Sequence, residues 1–110
     1  MALKRHWYHI LLALAEGPTH GAEIRRRVGR HTDGTLELYP AMLYGSLEDL
    51  LERRWIEEVP EGTPRPSDAS ERSRYLALTP TGRKVLADST DDAEQVVRIA
   101  RSLLAREASS

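Results

Sequence analysis

The sequence predicts a mainly helical α+β fold with one small β-hairpin. Two stretches carry that expectation. Leu43-Tyr44-Gly45-Ser46-Leu47-Glu48-Asp49-Leu50-Leu51-Glu52-Arg53-Arg54-Trp55-Ile56 reads as a helix running into a strand, and Arg74-Tyr75-Leu76-Ala77-Leu78-Thr79-Pro80-Thr81-Gly82-Arg83 as a returning strand running into a further helix. Length is the third observation, since 110 residues bury one modest core and leave no material for a second. With two helical signals upstream, the layout is that of a winged helix-turn-helix carrying an additional C-terminal helix.

The first helical signal runs from about Lys4 to Glu16, with Trp7, Ile10, Leu11 and Leu14 spaced for one buried face. Gly17-Pro18 ends it. The second begins near Thr19 or His20, either of which can cap it, and turns Ala22, Ile24 and Val28 inward with Arg25, Arg26, Arg27 and Arg30 mostly outward. Gly29 marks its expected end. Leu36 and Leu38 alternate around Glu37 as a very short strand would. Pro40 suits the first turn of the third helix, where a missing N–H costs nothing. Leu43, Leu47 and Leu50, with Leu51 beside them, form its inward stripe, leaving Ala41, Met42, Tyr44, Gly45 and Glu48 on the outer face.

Trp55 to Val59 is β-favouring, Pro60 to Glu71 is rich in Pro, Gly and Ser, and Ser73 to Leu78 alternates toward strand. This hairpin is the wing. Thr79-Pro80 opens the last helix with a capping hydroxyl followed by proline. Across Asp88 to Asp92 that helix either continues or restarts at an Asp91-to-Glu94 capping pair. Beyond it Ala93, Val96, Val97, Ala100, Leu103 and Leu104 make an apolar seam at three- and four-residue steps. Such a seam packs on the same helix of a second copy or folds back on its own domain. The expected division is residues 1–80 as the DNA-binding unit and 81–110 as a dimerisation helix, within one compact domain.

A net charge of −1 is unusual for a protein that meets DNA, but the charge is segregated. Residues 1–31 carry six Lys/Arg against two Asp/Glu, and residues 63–84 five against two. Acidity sits in residues 32–62, with eight Asp/Glu against two Lys/Arg, and in 85–110, with five against three. A local basic patch suffices for phosphate contact, although ordinary solvated faces give the same counts. There is no cysteine, so disulfides, thiol nucleophiles and Cys-based metal sites are excluded. His6 and His9 stand one helical turn apart without a third ligand nearby in sequence, so no metal or other cofactor is expected. No glycine-rich phosphate loop or nucleophile–base arrangement emerges, which argues against an enzyme. The longest apolar run in the amino-terminal stretch, Ile10 to Ala15, is too short for a membrane span. A cytoplasmic protein without membrane contact is expected.

Three segments in order resemble the PadR family of bacterial transcriptional regulators, particularly its short members. They are His20-Gly21-Ala22-Glu23-Ile24 at the start of the second helix, Leu43-Tyr44-Gly45-Ser46-Leu47-Glu48-Asp49-Leu50 in the recognition helix, and Tyr75-Leu76-Ala77-Leu78-Thr79-Pro80-Thr81-Gly82 leaving the wing. The resemblance spans about His6 to Ala105. It implies a homodimer joined through its first and last helices, binding a roughly palindromic operator and usually repressing transcription. The chain departs from the pattern in three places. Ala22 replaces an aromatic after His-Gly, Leu76 replaces the second wing tyrosine, and Ala41-Met42 stand where Gly-Thr is common. The last exchange removes a hydroxyl suited to phosphate or a base edge.

Contact with double-stranded DNA is therefore expected from Tyr39, Ala41, Met42 and Tyr44, from Arg26 on the second helix, and from Arg65, Arg72 and Arg74 on the wing. The plainer alternative makes Tyr44 a packing residue and the arginines solvating charges. Trp7 joins Ala93, Val96, Val97, Ala100, Leu103 and Leu104 in the expected dimer interface. Some family members bind flat aromatic compounds at that interface; here Trp7 and Tyr8 are the aromatics that can line such a pocket, for a small-molecule effector that releases the repressor. The rival function is a winged-helix protein-interaction module, favoured by the acidic outer residues Glu48, Asp49 and Glu52.

Overall fold

Four helices and a two-stranded antiparallel sheet make up the chain in a computed structural model that describes residues 3–60 and 74–108. In order they are α1 (Arg5–Ala15), α2 (Gly21–His31), α3 (Pro40–Glu52), β1 (Ile56–Glu58), β2 (Leu76–Leu78) and α4 (Pro80–Ala108). Ile56 pairs with Leu78, Glu57 with Ala77 and Glu58 with Leu76. One core joins Trp7, Ile10, Leu11 and Leu14 of α1 to Ile24 and Val28 of α2, Leu43, Leu47 and Leu50 of α3, and Ile56, Leu76 and Leu86. On α1 and α3 the stripes read from the sequence are the buried ones; on α2 Ile24 and Val28 are buried, but Ala22, expected to face inward, is exposed.

α1 stops where Gly17 takes φ 138°, and Arg27 of α2 closes its end. Arg27 Nη1 donates to the Ala13 carbonyl at 3.0 Å and the Gly17 carbonyl at 2.8 Å, satisfying acceptors that a helix terminus leaves open. His20 is the N-cap of α2, its Nδ1 accepting the Glu23 N–H at 3.4 Å. Thr19 has a different task. It is buried and bridges Leu76, donating its N–H at 3.0 Å and accepting the Leu76 N–H at 2.8 Å. The hairpin thus gains a one-residue third strand.

Two expectations about this region are corrected. α2 does not end at Gly29 but continues to His31. Its stop is a Schellman turn in which Asp33 adopts φ 50° and the Gly34 N–H reaches back to the Gly29 carbonyl at 2.9 Å. Leu36 to Leu38 is not a strand. The chain there is held by Thr35 Oγ1 donating to the Thr32 carbonyl at 2.7 Å and by the Leu36 N–H donating to Thr32 Oγ1 at 3.2 Å. These side-chain bonds compete with a ladder, and Thr19 already occupies the bridge to Leu76. α3 ends by the same device as α2, with Arg54 at φ 61° and the Trp55 N–H bonded to the Leu50 carbonyl at 3.1 Å.

α4 runs unbroken for 29 residues through Asp88 to Asp92. Thr79 Oγ1 caps it, accepting the Gly82 N–H at 2.9 Å and donating to the Arg54 carbonyl at 2.7 Å or the Trp55 carbonyl at 3.0 Å. Through the polar patch the helix is supported from within. Lys84 pairs with Asp88 at 3.1 Å, Arg98 with Glu94 at 2.6 Å, and Thr90 Oγ1 donates to the Leu86 carbonyl at 2.8 Å. Only its first turns are anchored in the core, through Gly82 and Leu86.

Candidate nucleic-acid interface

Pro40 fixes the first turn of α3, and the N-cap Tyr39 makes no side-chain capping bond, so its phenol is left in solvent. With Leu43, Ser46, Leu47 and Leu50 turned inward, helical phase forces Ala41, Met42, Tyr44 and Gly45 outward. Tyr39 is 62 % exposed, Tyr44 55 % and Met42 39 %. Three large side chains thus stand uncovered at the start of one helix, together with the methyl of Ala41. Phenol hydroxyls donate to phosphate oxygens, while a thioether and a methyl suit thymine methyl groups.

Tyr44 is not free to wander. A Cβ placed on Gly21 would lie 3.4 Å from Tyr44 Cε1 and Oη and 3.5 Å from Leu43 Cδ2, so the ring rests on the first residue of α2. The His-Gly and Leu-Tyr pairs noted in the sequence are therefore two sides of one contact. Beside it a cavity of about 320 Å³ is walled by His20, Gly21, Tyr44 and Arg74, with Ala22, Leu47 and Leu76.

Arg74, just ahead of β2, sits between two carboxylates. Its Nη1 donates to Glu48 Oε1 of α3 and its Nε to Glu58 Oε1 of β1 at 2.5 Å. The bond to Glu48, then that to Glu58, pushes the guanidinium above the ordinary arginine range. Arg26 is also engaged, its Nε 2.6 Å from Glu23 Oε2, and this bond holds the Glu23 carboxyl below its usual range against a smaller opposing effect of burial. Arg25 shares with Arg26 the wall of a cavity of about 440 Å³ and was absent from the expected contacts. Arg65 and Arg72 lie outside the described residues.

Of the acidic residues that favoured a protein-interaction module, Glu48 and Glu52 line a cavity of about 630 Å³ with Glu57, Glu58, Arg54 and Arg74, and Asp49 does not. Arg74 neutralises part of it.

On α4, Val96, Val97, Ile99, Leu103 and Leu104 are exposed, as are Ala93 and Ala100. Ile99 belongs to this surface and was missed, although it falls three residues after Val96 and four before Leu103. Trp7 lies elsewhere. It is only 6 % exposed, packs edge-on against Trp55 with centroids 6.1 Å apart, and has the Lys4 ammonium 4.7 Å and the Arg53 guanidinium 4.9 Å from its ring centroid. With Trp55, Val85, Asp88 and Asp92 it lines a cavity of about 290 Å³ within the single chain. Tyr8 is not in that wall; its hydroxyl bonds Thr90 Oγ1 at 2.8 Å. Among the described residues no helix is long and apolar enough to cross a membrane.

Solved structures share this fold. A transcriptional regulator from Clostridium thermocellum is 24 % identical with TM-score 0.69, covering 87 % of this chain and 89 % of that one. RosR from H. salinarum is 21 % identical with TM-score 0.65, covering 97 % and 94 %. F93 from STIV, a winged-helix DNA-binding protein, is 16 % identical with TM-score 0.68, covering 88 % and 96 %. No curated protein matches the chain in sequence. The model of the transcriptional regulator PadR-like family matches residues 10–88, and that match takes in all three segments that carried the resemblance. The chain belongs to the PadR-like family of transcriptional regulators, and it is not an enzyme.

Proposed function

We propose that the protein is a cytoplasmic homodimer that binds a roughly palindromic operator and represses transcription until a small-molecule effector releases it. The observation that carries this reading is the uncovered start of α3, where Tyr39, Met42 and Tyr44 stand in solvent. In it, residues 1–80 read DNA and residues 81–110 join two copies through the exposed seam of α4. The recognition helices of the two copies would then sit about one duplex turn, roughly 34 Å, apart. Residues Trp7 and Tyr8 stand near the effector site in this reading; the Trp7–Trp55 cavity supports the part of it at Trp7.

The test is affinity for a duplex enriched from a random-sequence library. Because phosphate binding releases counterions, affinity falls about a hundredfold or more between about 50 and 200 mM salt. Tyr44→Ala lowers affinity about tenfold, the cost of one good contact, while leaving the circular dichroism spectrum intact. Equal binding to all duplexes with no effect of Tyr44→Ala overturns the reading. Both tryptophans of the chain line the Trp7–Trp55 cavity, so effector binding there changes intrinsic fluorescence. A panel of planar cations and phenolic acids that leaves the emission unmoved removes the effector from the proposal.

A further inference from the structure

Arg74 is placed where a wing arginine would meet DNA, yet its charge is already committed. It spans two elements, bonding Glu48 on α3 and Glu58 on β1 at the same time. Glu48 lies one helical turn beyond Tyr44, on the outer face of α3, and is 63 % exposed at its side chain. A bare carboxylate there would oppose the approach of a phosphate backbone. The wing is rooted at Ile56 and Leu76 in the core, but β1 and β2 pair over only three residues each. A guanidinium that bonds both carboxylates through separate nitrogens fixes their relative position as a single ammonium does not.

Resting on the DNA-binding reading above, we infer that Arg74 is a positioning residue that locks the wing to the recognition helix and neutralises Glu48, and that it is not itself a phosphate contact. The two roles leave different signatures. A phosphate contact acts alike on every sequence and contributes about one to the slope of log affinity against log salt. A lock between the two reading elements acts on the preference for the correct sequence and leaves that slope alone.

The experiment compares the full chain with Arg74→Met, Arg74→Lys and the pair Glu48→Ala with Glu58→Thr, using the enriched duplex and a random duplex across a range of salt. Removing two negative charges strengthens binding to all DNA, so the ratio of the two affinities is the readout. That ratio falls about fivefold in all three variants, the scale of an exposed ion-pair network, and the salt slope is retained. Lysine fails like methionine because one ammonium does not span both carboxylates. A second readout needs no DNA. The Val59 N–H donates to the Tyr75 carbonyl at 2.8 Å, and its hydrogen exchange quickens about fivefold in each variant if the lock holds the wing. A slope lowered by about one in Arg74→Met, with Arg74→Lys close to wild type, makes Arg74 a phosphate contact and overturns the inference. Unchanged Val59 exchange overturns it as well. If no duplex is enriched by the wild-type chain, the DNA-binding reading fails, and Val59 exchange still decides whether the lock exists.

Discussion

Gly82 occupies a position where one methyl group is too many. A Cβ there would fall 1.9 Å from the Trp55 carbonyl oxygen and 2.9 Å from Leu78 Cδ1, so the first turn of α4 lies directly on the backbone that leaves α3. The Thr79 hydroxyl sits in the same joint, tying the Gly82 N–H to the Arg54 and Trp55 carbonyls. Gly82→Ala is expected to cost about 3 kcal/mol, since the obstacle is backbone and the side chain has no room to turn aside; chemical denaturation measures it. His9 sets a pH dependence. Burial, then the charges of Arg5 and His31, hold its imidazole below the ordinary value of 6.5, and burial with Lys4 does the same to His6. The folded chain therefore takes up these protons less readily than the unfolded one. Their contribution to stability is complete above 6.5 and is lost as pH falls below it. The melting temperature should drop between about pH 7.5 and 5.5, and the drop should shrink in His6→Gln/His9→Gln.

The elements differ in how plainly their sequences announce them. Helical stripes were readable because burial forces a three- and four-residue spacing, and that same phase put Met42 and Tyr44 on the outer face of α3. Helix ends were harder. Gly29 looked like a stop, but the stop is made by Asp33 in a left-handed conformation, which composition does not mark. The short strand expected at Leu36 to Leu38 failed because the Leu36 N–H goes to Thr32 Oγ1, while Thr19, far away in sequence, takes the bridge to Leu76. Arg74 was legible as a charged wing residue, but its partners stand 26 and 16 residues away, beyond any local pattern. The end of α3 offers a test at this scale. Arg54 holds φ 61° without being glycine, so Arg54→Gly relieves left-handed strain and should stabilise the fold by about 0.5 kcal/mol, after the entropy that glycine returns to the unfolded chain. A higher denaturation midpoint with an unchanged slope is the expected result.

For the whole molecule the decisive surface is the outer two thirds of α4. Five aliphatic side chains, Val96, Val97, Ile99, Leu103 and Leu104, are uncovered there, and the proposed second copy buries them. Val97→Glu/Leu103→Glu should convert a dimer to a monomer in sedimentation and weaken binding to a palindromic duplex about a hundredfold, because each half-site is then bound singly. Helix content should remain, since neither residue belongs to the core. Sedimentation of the wild-type chain as a monomer at micromolar concentration would remove the dimer from the proposal.

The joint at Thr79, Gly82 and Trp55 is the root of a rod. At 29 residues and 1.5 Å per residue, α4 reaches about 43 Å from that hinge, with its last buried residue at Leu86 and a further tie from Thr90 Oγ1 to the Tyr8 hydroxyl. A rotation of only about 3° at the root carries the far end through roughly 2 Å at that length. In the proposed dimer the tips are joined, so the same small rotation would reappear as a change in the separation of the two reading heads. A substitution or small molecule that shims the hinge can thereby retune which operator spacing fits, without touching any residue that meets a base.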